Sequence, residues 1–259
     1  SCITACPQHA LTKGPSGIER DRAACLMCGE CVWACPSGAM EMLGEEATID
    51  GLVSELAKDR AFFEKSGGGV TLSGGEPSLQ PAFTLALIKA LKQAGLSVAL
   101  DTCGLCPPDT LESLIADVDI VLFDLKLIDE QEHEKWTGVS NIRILHNLQV
   151  VKRCIDQSQS LKRLWIRTPL IPHATDGREN IQGIGRHLAE SIDGTVDRWE
   201  LCAFNNLCRD KYTRLGLDWG FAETPLMTKK DLVTIEMWAK DSGFDPERIL
   251  VSGATRIEN

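Results

Sequence analysis

The chain has little of what a membrane or nucleic-acid protein needs. No apolar run approaches the about 20 residues that cross a bilayer, and no basic-then-apolar leader opens the sequence. Those absences exclude a helical membrane span from this stretch and make a cytoplasmic location the expectation. Basic clusters are missing as well. The 27 Lys and Arg residues are scattered among 37 Asp and Glu, for a formal net charge of −10. Phosphate backbones are gripped by grouped cations, so neither a nucleic acid nor a membrane is expected as a partner. An initiator Met is absent too. The chain opens on Ser1-Cys2, inside what proves to be a motif, and the expectation is that the gene product begins further upstream.

Cysteine, by contrast, is concentrated. Six of the 11 cysteines fall within the first 35 residues at short, regular spacings. In a chain with no sign of export, that pattern favours metal ligation over disulfides. Residues 25 to 36 read Cys25-Leu-Met-Cys28-Gly-Glu-Cys31-Val-Trp-Ala-Cys35-Pro36, the C-x2-C-x2-C-x3-C-P run of bacterial ferredoxins. Three thiolates so spaced cap one face of a 4Fe-4S cubane, and in two-cluster ferredoxins the fourth ligand comes from the other run. The tail of such a second run is present: Cys2-Ile-Thr-Ala-Cys6-Pro7 repeats 29 positions later as Cys31-Val-Trp-Ala-Cys35-Pro36. Cys6 therefore completes the cluster of Cys25, Cys28 and Cys31. Cys2 and Cys35 belong to a second cluster whose other two ligands are expected before residue 1. A four-cysteine zinc site is the alternative, since it also uses C-x2-C pairs.

With 259 residues, 43% of them hydrophobic and 25% charged, the chain can form one α/β domain of barrel size plus a small appendage. From about Ile49 onward, short apolar β-rich runs alternate with amphipathic segments, the pattern of a parallel α/β sheet or barrel. The expected division is a ferredoxin-like domain over 1–48 and an α/β domain over 49–259. Strands are predicted at Val70–Ser73, Val98–Asp101, Ile120–Asp124, Leu164–Thr168, Arg198–Cys202 and Ile249–Val251. A helix over Pro81–Ala94 places Phe83, Leu87, Leu91 and Ala94 on one face, and Thr228-Lys-Lys-Asp231 is a capping box before Leu232, Ile235 and Trp238. Further helices are expected near 52–64, 110–116, 142–154 and 178–190.

In parallel α/β folds the chemistry gathers at the carboxyl ends of the strands. Here those ends are Ser73-Gly74-Gly75-Glu76-Pro77, Asp101-Thr102-Cys103-Gly104, Asp124-Leu125-Lys126 and Arg167-Thr168-Pro169. Gly74 and Gly75 expose backbone to a ligand, Glu76 suits an ammonium group, and Lys126 and Arg167 suit a carboxylate, so the caps together fit a zwitterion.

The ferredoxin run followed by Ser66-Gly-Gly-Gly-Val70-Thr-Leu-Ser73-Gly-Gly-Glu76-Pro77 resembles the activating enzymes of glycyl radical enzymes, which are radical S-adenosylmethionine (SAM) proteins. The resemblance continues through Asp101-Thr102-Cys-Gly, Phe123-Asp124-Leu-Lys126, Thr137-Gly138, Asn141 to Leu148, Arg167-Thr-Pro-Leu-Ile-Pro172 and Lys211-Tyr212. It implies a partial (β/α)6 TIM-like barrel, here lacking its first strand, with a two-cluster ferredoxin-like domain. It also implies that Gly74, Gly75 and Glu76 hold the SAM amino group, that Lys126 meets its carboxylate, and that Asp124 and Arg167 face the same site. Asp101, Thr102, Asp124 and the backbone of Leu122 resemble the family's monovalent-cation site. In the family, reductive cleavage of SAM at a 4Fe-4S cluster yields a 5′-deoxyadenosyl radical that takes a hydrogen from a glycine of the partner enzyme. The implied partners are that glycyl radical enzyme and a flavodoxin or ferredoxin reductant.

The chain departs from the family in two places. Where pyruvate formate-lyase activators have a ligand-facing His in a Pro-Tyr-His stretch, Ala203-Phe204-Asn205 stands here, so Asn205 replaces an ionisable group with a neutral one, which points to another subtype. The C-x3-C-x2-C loop that holds the family's SAM-cleaving cluster is absent from the sequence and expected upstream, so the chain as it stands is expected not to cleave SAM. Other cysteines carry weaker signals. Cys103-Gly-Leu-Cys106 spells C-x-x-C, but Pro107 and Pro108 follow directly; Cys202 and Cys208 flank Asn205; and Cys154 lies on a helix face. Among the histidines only His173, after an Ile-Pro pair, falls near the expected rim. Two other readings stay open: an iron-sulfur electron carrier without chemistry of its own, and a radical SAM enzyme acting on a small molecule.

Overall fold

A computed structural model describes residues 1–15, 17–158, 163–192 and 194–256. The chain separates into two compact units, Ser1–Thr48 and Ile49–Asn259. In the first, short helices Cys2–Ala5 and Glu30–Trp33 accompany an antiparallel ribbon of β1 (Leu11–Gly14) and β2 (Gly17–Arg20), in which Leu11 pairs with Arg20. Its fully buried apolar residues are Cys6, Ala10 and Leu11, with Cys2, Ile3, Ala24, Cys25, Cys31 and Met40 packed against them. So small a core cannot by itself hold a unit of this size, and chains below about 40–50 residues ordinarily need a metal, a disulfide or a partner. No cysteine is in a disulfide.

The second unit is built on one six-stranded sheet: β3 (Val70–Leu72), β4 (Val98–Thr102), β5 (Ile120–Asp124), β6 (Arg163–Leu170), β7 (Val196–Ala203) and β8 (Ile249–Ser252). The strands lie in sequence order and every pair is parallel. Parallel neighbours need crossovers, and helices Pro81–Gln93, Pro108–Ile115, Ile142–Asp156, Arg178–Ser191 and Lys229–Lys240 supply them. Each turns an apolar stripe to the sheet: Leu87, Ile88 and Leu91 from the first, and Ile181, Ile184 and Leu188 from the fourth, are buried. The capping box at Thr228 forms in both directions, with the Thr228 hydroxyl accepting from the Asp231 amide at 3.0 Å and the Asp231 carboxylate accepting from the Thr228 amide at 2.9 Å.

All six strands expected from the sequence are present. β6 and β7 run longer at both ends than their apolar centres, because pairing with each other carries them on to Leu170 and Ala203. The helix expected near 52–64 is instead Ile49–Leu56, a 3-10 turn and Arg60–Ser66. Helices Glu130–Thr137 and Cys208–Leu215 had no counterpart in the sequence reading.

Candidate active site at the carboxyl ends of the strands

The turn after β3 brings Glu76 against the end of β4. Its carboxylate accepts from the Thr102 hydroxyl at 2.8 Å, the Cys103 amide at 2.9 Å and the Ser78 amide at 3.2 Å. Burial alone would push the Glu76 carboxyl up. The bonds from Cys103, Thr102 and Ser78 outweigh it and hold the group below the usual carboxylate range, so Glu76 is an anion at neutral pH. Beside it, Gly74 has φ of +107°, and a Cβ built on Gly74 or Gly75 would meet no atom within 4 Å. A fixed anion next to open space and bare backbone is what an ammonium group requires.

Four further charges line the ends of β4, β5 and β6, where Asp101 pairs in register with Leu122 and Asp124 with Arg167. Arg167 donates to Asp101 at 2.6 Å, and the Ser73 hydroxyl donates to the same carboxylate oxygen at 3.0 Å. Burial would loosen the guanidinium proton, but Asp101, Cys202 and Asp124 together outweigh it and hold the proton more firmly than usual. Lys126 donates to Asp124 at 3.0 Å. Asp101, Thr102, Leu122 and Asp124, the four candidate cation ligands, are thus neighbours, yet the side chains of Asp101, Thr102 and Asp124 are engaged by Arg167, Glu76 and Lys126. Among the described residues no three His, Cys, Asp or Glu side chains form a group able to hold one metal ion.

Lys126 and Arg167 also open onto a cleft of 460 Å³ together with Cys202, Asn205 and Cys208. Its far wall is aromatic: Trp136, Phe204, Tyr212, Trp219 and Phe221 stack or tilt against one another at centroid distances of 5.7 to 6.4 Å. Asn205 is exposed, and its side-chain oxygen accepts from the Leu207 amide at 3.2 Å. Burial, followed by the nearby Glu200 charge, pushes the Cys202 thiol up. His173 lines a separate cleft with Asp176 and Arg256. Of the C-x-x-C pair, Cys106 is buried and Cys103 half-buried. Burial and then the Glu76 carboxylate push the Cys103 thiol up to about 11, which is the reverse of a reactive dithiol.

Three carboxamides hold these loops; the sequence reading named Asn141 only as the start of a family stretch and gave none of the three a role. Asn147 donates to the carbonyls of Gly104 and Cys106, Asn141 to those of Leu127 and Ile128, and Asn180 to those of Lys126 and Thr175. A signal existed for the first: Asn147 stands inside the apolar stripe of Ile144, Leu148 and Val151, where a polar residue needs a partner.

In the first unit, Cys2, Cys25 and Cys31 pack against the buried cluster that contains Cys6, although no three of these thiols are grouped closely enough to hold one metal ion, and the Ala10 amide donates to the Cys6 sulfur at 3.4 Å. Cys28 is exposed and outside it, and Cys35 lies beside the Ser37 hydroxyl at 3.5 Å. An all-thiolate donor set with an amide aimed at sulfur suits iron-sulfur chemistry.

Residues 34–182 match the model of the radical SAM superfamily, and residues 18–40 that of a 4Fe-4S binding domain. The isethionate sulfite-lyase activating enzyme of Oleidesulfovibrio alaskensis is 37% identical over 216 residues, covering 83% of this chain and 67% of that protein. The pyruvate formate-lyase 2-activating enzyme of Escherichia coli is 35% identical over 249 residues, covering 94% and 82%. A crystallised domain of a pyruvate-formate lyase-activating enzyme from Bacteroides vulgatus shares the fold, with a TM-score of 0.57 at 24% identity over 72% of this chain and 99% of that one. A superfamily model matching more than half of the chain, together with relatives of this identity and coverage, establishes that the chain belongs to the radical SAM superfamily, among the activating enzymes of glycyl radical enzymes.

Proposed function

We propose that the carboxyl-end rim of the sheet is the SAM site of a glycyl radical activase, with Gly74, Gly75 and Glu76 taking the methionine ammonium and Lys126 its carboxylate. The observation that carries this is the triply hydrogen-bonded Glu76 carboxylate, anionic and next in the chain to two glycines whose Cα atoms border open space. Asp124 is the resting partner of Lys126, while Arg167 and Asn205 face the adjoining cleft. When bound, SAM and its cluster supply a 5′-deoxyadenosyl radical; the protein's share is to bind, orient and exclude water. The aromatic cleft is suited to exclude water and to receive the glycine-bearing segment of the partner enzyme. The relatives' partners differ among themselves, so their names do not single out one for this chain.

The sheet is read as a partial (β/α)6 barrel, supported by its sequential, all-parallel strand order. Residues 1–48 are read as ferredoxin-like. Cys6, Cys25, Cys28 and Cys31 would hold one 4Fe-4S cluster, and Cys2 and Cys35 would contribute to a second; these clusters would pass electrons from a flavodoxin or ferredoxin in the cytoplasm. A monovalent cation at Asp101, Thr102, Leu122 and Asp124 would compete with Arg167 and Lys126 for the same carboxylates.

Equilibrium binding of SAM tests the site. Glu76→Gln is expected to weaken binding by about tenfold or more, the worth of one charge-assisted hydrogen bond. Unchanged affinity would remove Glu76 from the site. Anaerobic reconstitution with iron and sulfide tests the other unit: Cys6→Ser and Cys28→Ser should each reduce bound iron, and full iron retention in Cys28→Ser would strike it from the ligand set. Activation of the partner unchanged by Cys28→Ala would refute an electron relay.

A further inference from the structure

The side chain of Asn147 lies one layer behind the rim and touches none of the groups so far assigned to a ligand. It is fully buried on helix Ile142–Asp156, among Ile144, Leu148 and Val151. Its Nδ2 donates both protons, one to the Gly104 carbonyl at 2.7 Å and one to the Cys106 carbonyl at 2.8 Å. Its Oδ1 is buried without a hydrogen-bond partner. An unmade bond of that kind is unfavourable, and an apolar residue of similar shape would avoid it. The position therefore keeps asparagine for its two donors, which no apolar residue and no carboxylate can supply.

The two carbonyls belong to the turn that shapes Glu76. On its other side that turn directs the Cys103 amide to Glu76 Oε2 at 2.9 Å and the Gly104 amide to the Thr102 hydroxyl at 3.0 Å, and Thr102 in turn donates to Glu76 Oε1 at 2.8 Å. Gly104 carries the link between the two sides: Asn147 holds its carbonyl, and its amide is held by the Thr102 hydroxyl that in turn donates to Glu76. We infer that Asn147 is a positioning residue for ammonium recognition: it fixes the 103–106 turn, and through Cys103 and Thr102 it fixes the orientation of Glu76. This rests on the reading of Glu76 as the ammonium partner. Removing the carboxamide leaves Gly104 and Cys106 with unpaired buried carbonyls, the turn shifts to find water, and Glu76 loses two of its three donors while keeping its charge.

The test compares two probes. SAM carries the amino-acid group on a sulfonium, whereas 5′-methylthioadenosine keeps the nucleoside and the methylated sulfur, there a neutral thioether, without that group. Asn147→Leu is expected to weaken SAM binding by about tenfold while leaving methylthioadenosine affinity within twofold. A merely structural role would lower both equally, and that outcome overturns the inference, as does unchanged binding of both. Should Asn147→Leu fail to fold, Asn147→Ala, which lets water reach the two carbonyls, is measured in the same way. Glu76→Gln is the reference: if it too fails to narrow the gap between the probes, the ammonium reading itself is wrong, whereas if it narrows the gap and Asn147→Leu does not, only the role of Asn147 falls. In the Glu76→Gln background the Asn147 substitution should have less than half its effect in the unmodified chain, because both act through one carboxylate.

Discussion

Gly104→Ala should be among the most damaging single-methyl additions in the rim. Gly104 sits at φ of +69°, and a Cβ there would lie 2.3 Å from Cζ and 2.6 Å from Cε2 of Phe123. Phe123 is fully buried in β5, held in register between Thr102 and Ile166, so its ring has nowhere to retreat. A left-handed backbone costs an alanine about 1–2 kcal/mol, and forcing extra volume into a packed core costs about 1–3 kcal/mol more. The total is roughly 2–5 kcal/mol. Gly67 separates the two contributions, because it has φ of +68° but nothing within 4 Å of a built Cβ. Gly67→Ala should therefore lose only about 1–2 kcal/mol in urea unfolding, leaving a difference of about 1–3 kcal/mol for the ring contact. Phe123→Leu in the Gly104→Ala background should recover part of that difference. Equal losses at the two glycines, or no recovery with Phe123→Leu, would refute the packing argument.

Other outcomes follow from the same geometry. Because Glu76 is held below its ordinary range, its bonds stabilise the fold fully above the unfolded carboxyl value and cease to do so as pH falls through the folded one. Glu76→Gln should flatten the acid limb of a stability profile, and an unaltered limb would contradict this. With its thiol pushed up to about 11, Cys103 should be about one part in a thousand thiolate at pH 8 and should resist iodoacetamide. Peptide mass spectrometry should find exposed Cys208 modified well before it; equal rates would count against the assignment. Trp199→Phe removes a buried hydrogen bond of 3.0 Å to the Thr168 hydroxyl and should lower stability by about 1–3 kcal/mol, read by urea unfolding.

What could be read from the sequence followed from which forces leave a periodic trace. The strands stood out because Val98-Ala-Leu100 and Ile120-Val-Leu-Phe123 are continuous apolar runs, as strands covered on both faces require. The Gly74-Gly75-Glu76 turn could be read because backbone exposure needs glycine. Helix Glu130–Thr137 could not: His133 is its one buried residue, and it is held by an Asp129 cap and a His133 side chain bonded to the Val139 carbonyl, contacts that leave no apolar stripe. The aromatic cleft was equally hidden, because Trp136 and Phe221 are 85 positions apart in sequence and meet only through the fold. Asn147 shows the same limit, since a lone polar residue in an apolar stripe announces a need for partners without naming them.

The rim charges differ in how freely they can move, and this yields a last prediction. Glu76 is fixed by three donors, two of them backbone amides, and cannot turn away without breaking them. Lys126 is tied to Asp124 by a single bond, with their side chains 31% and 26% exposed. Such a partly wetted pair is worth about 0.5–1 kcal/mol, so the flexible lysine can exchange Asp124 for an incoming carboxylate at little cost. A charge-assisted bond to that carboxylate gains about 1.5–3 kcal/mol, leaving a net of about 1–2 kcal/mol, or roughly five- to thirtyfold in affinity. Decarboxylated SAM keeps the ammonium and lacks the carboxylate. The native chain should prefer SAM over it by that factor, Lys126→Met should abolish the preference, and Glu76→Gln should weaken both ligands while preserving it. If Lys126→Met retains the preference, the carboxylate is held elsewhere on the rim, and Arg167, bound more tightly to Asp101, becomes the group to remove next.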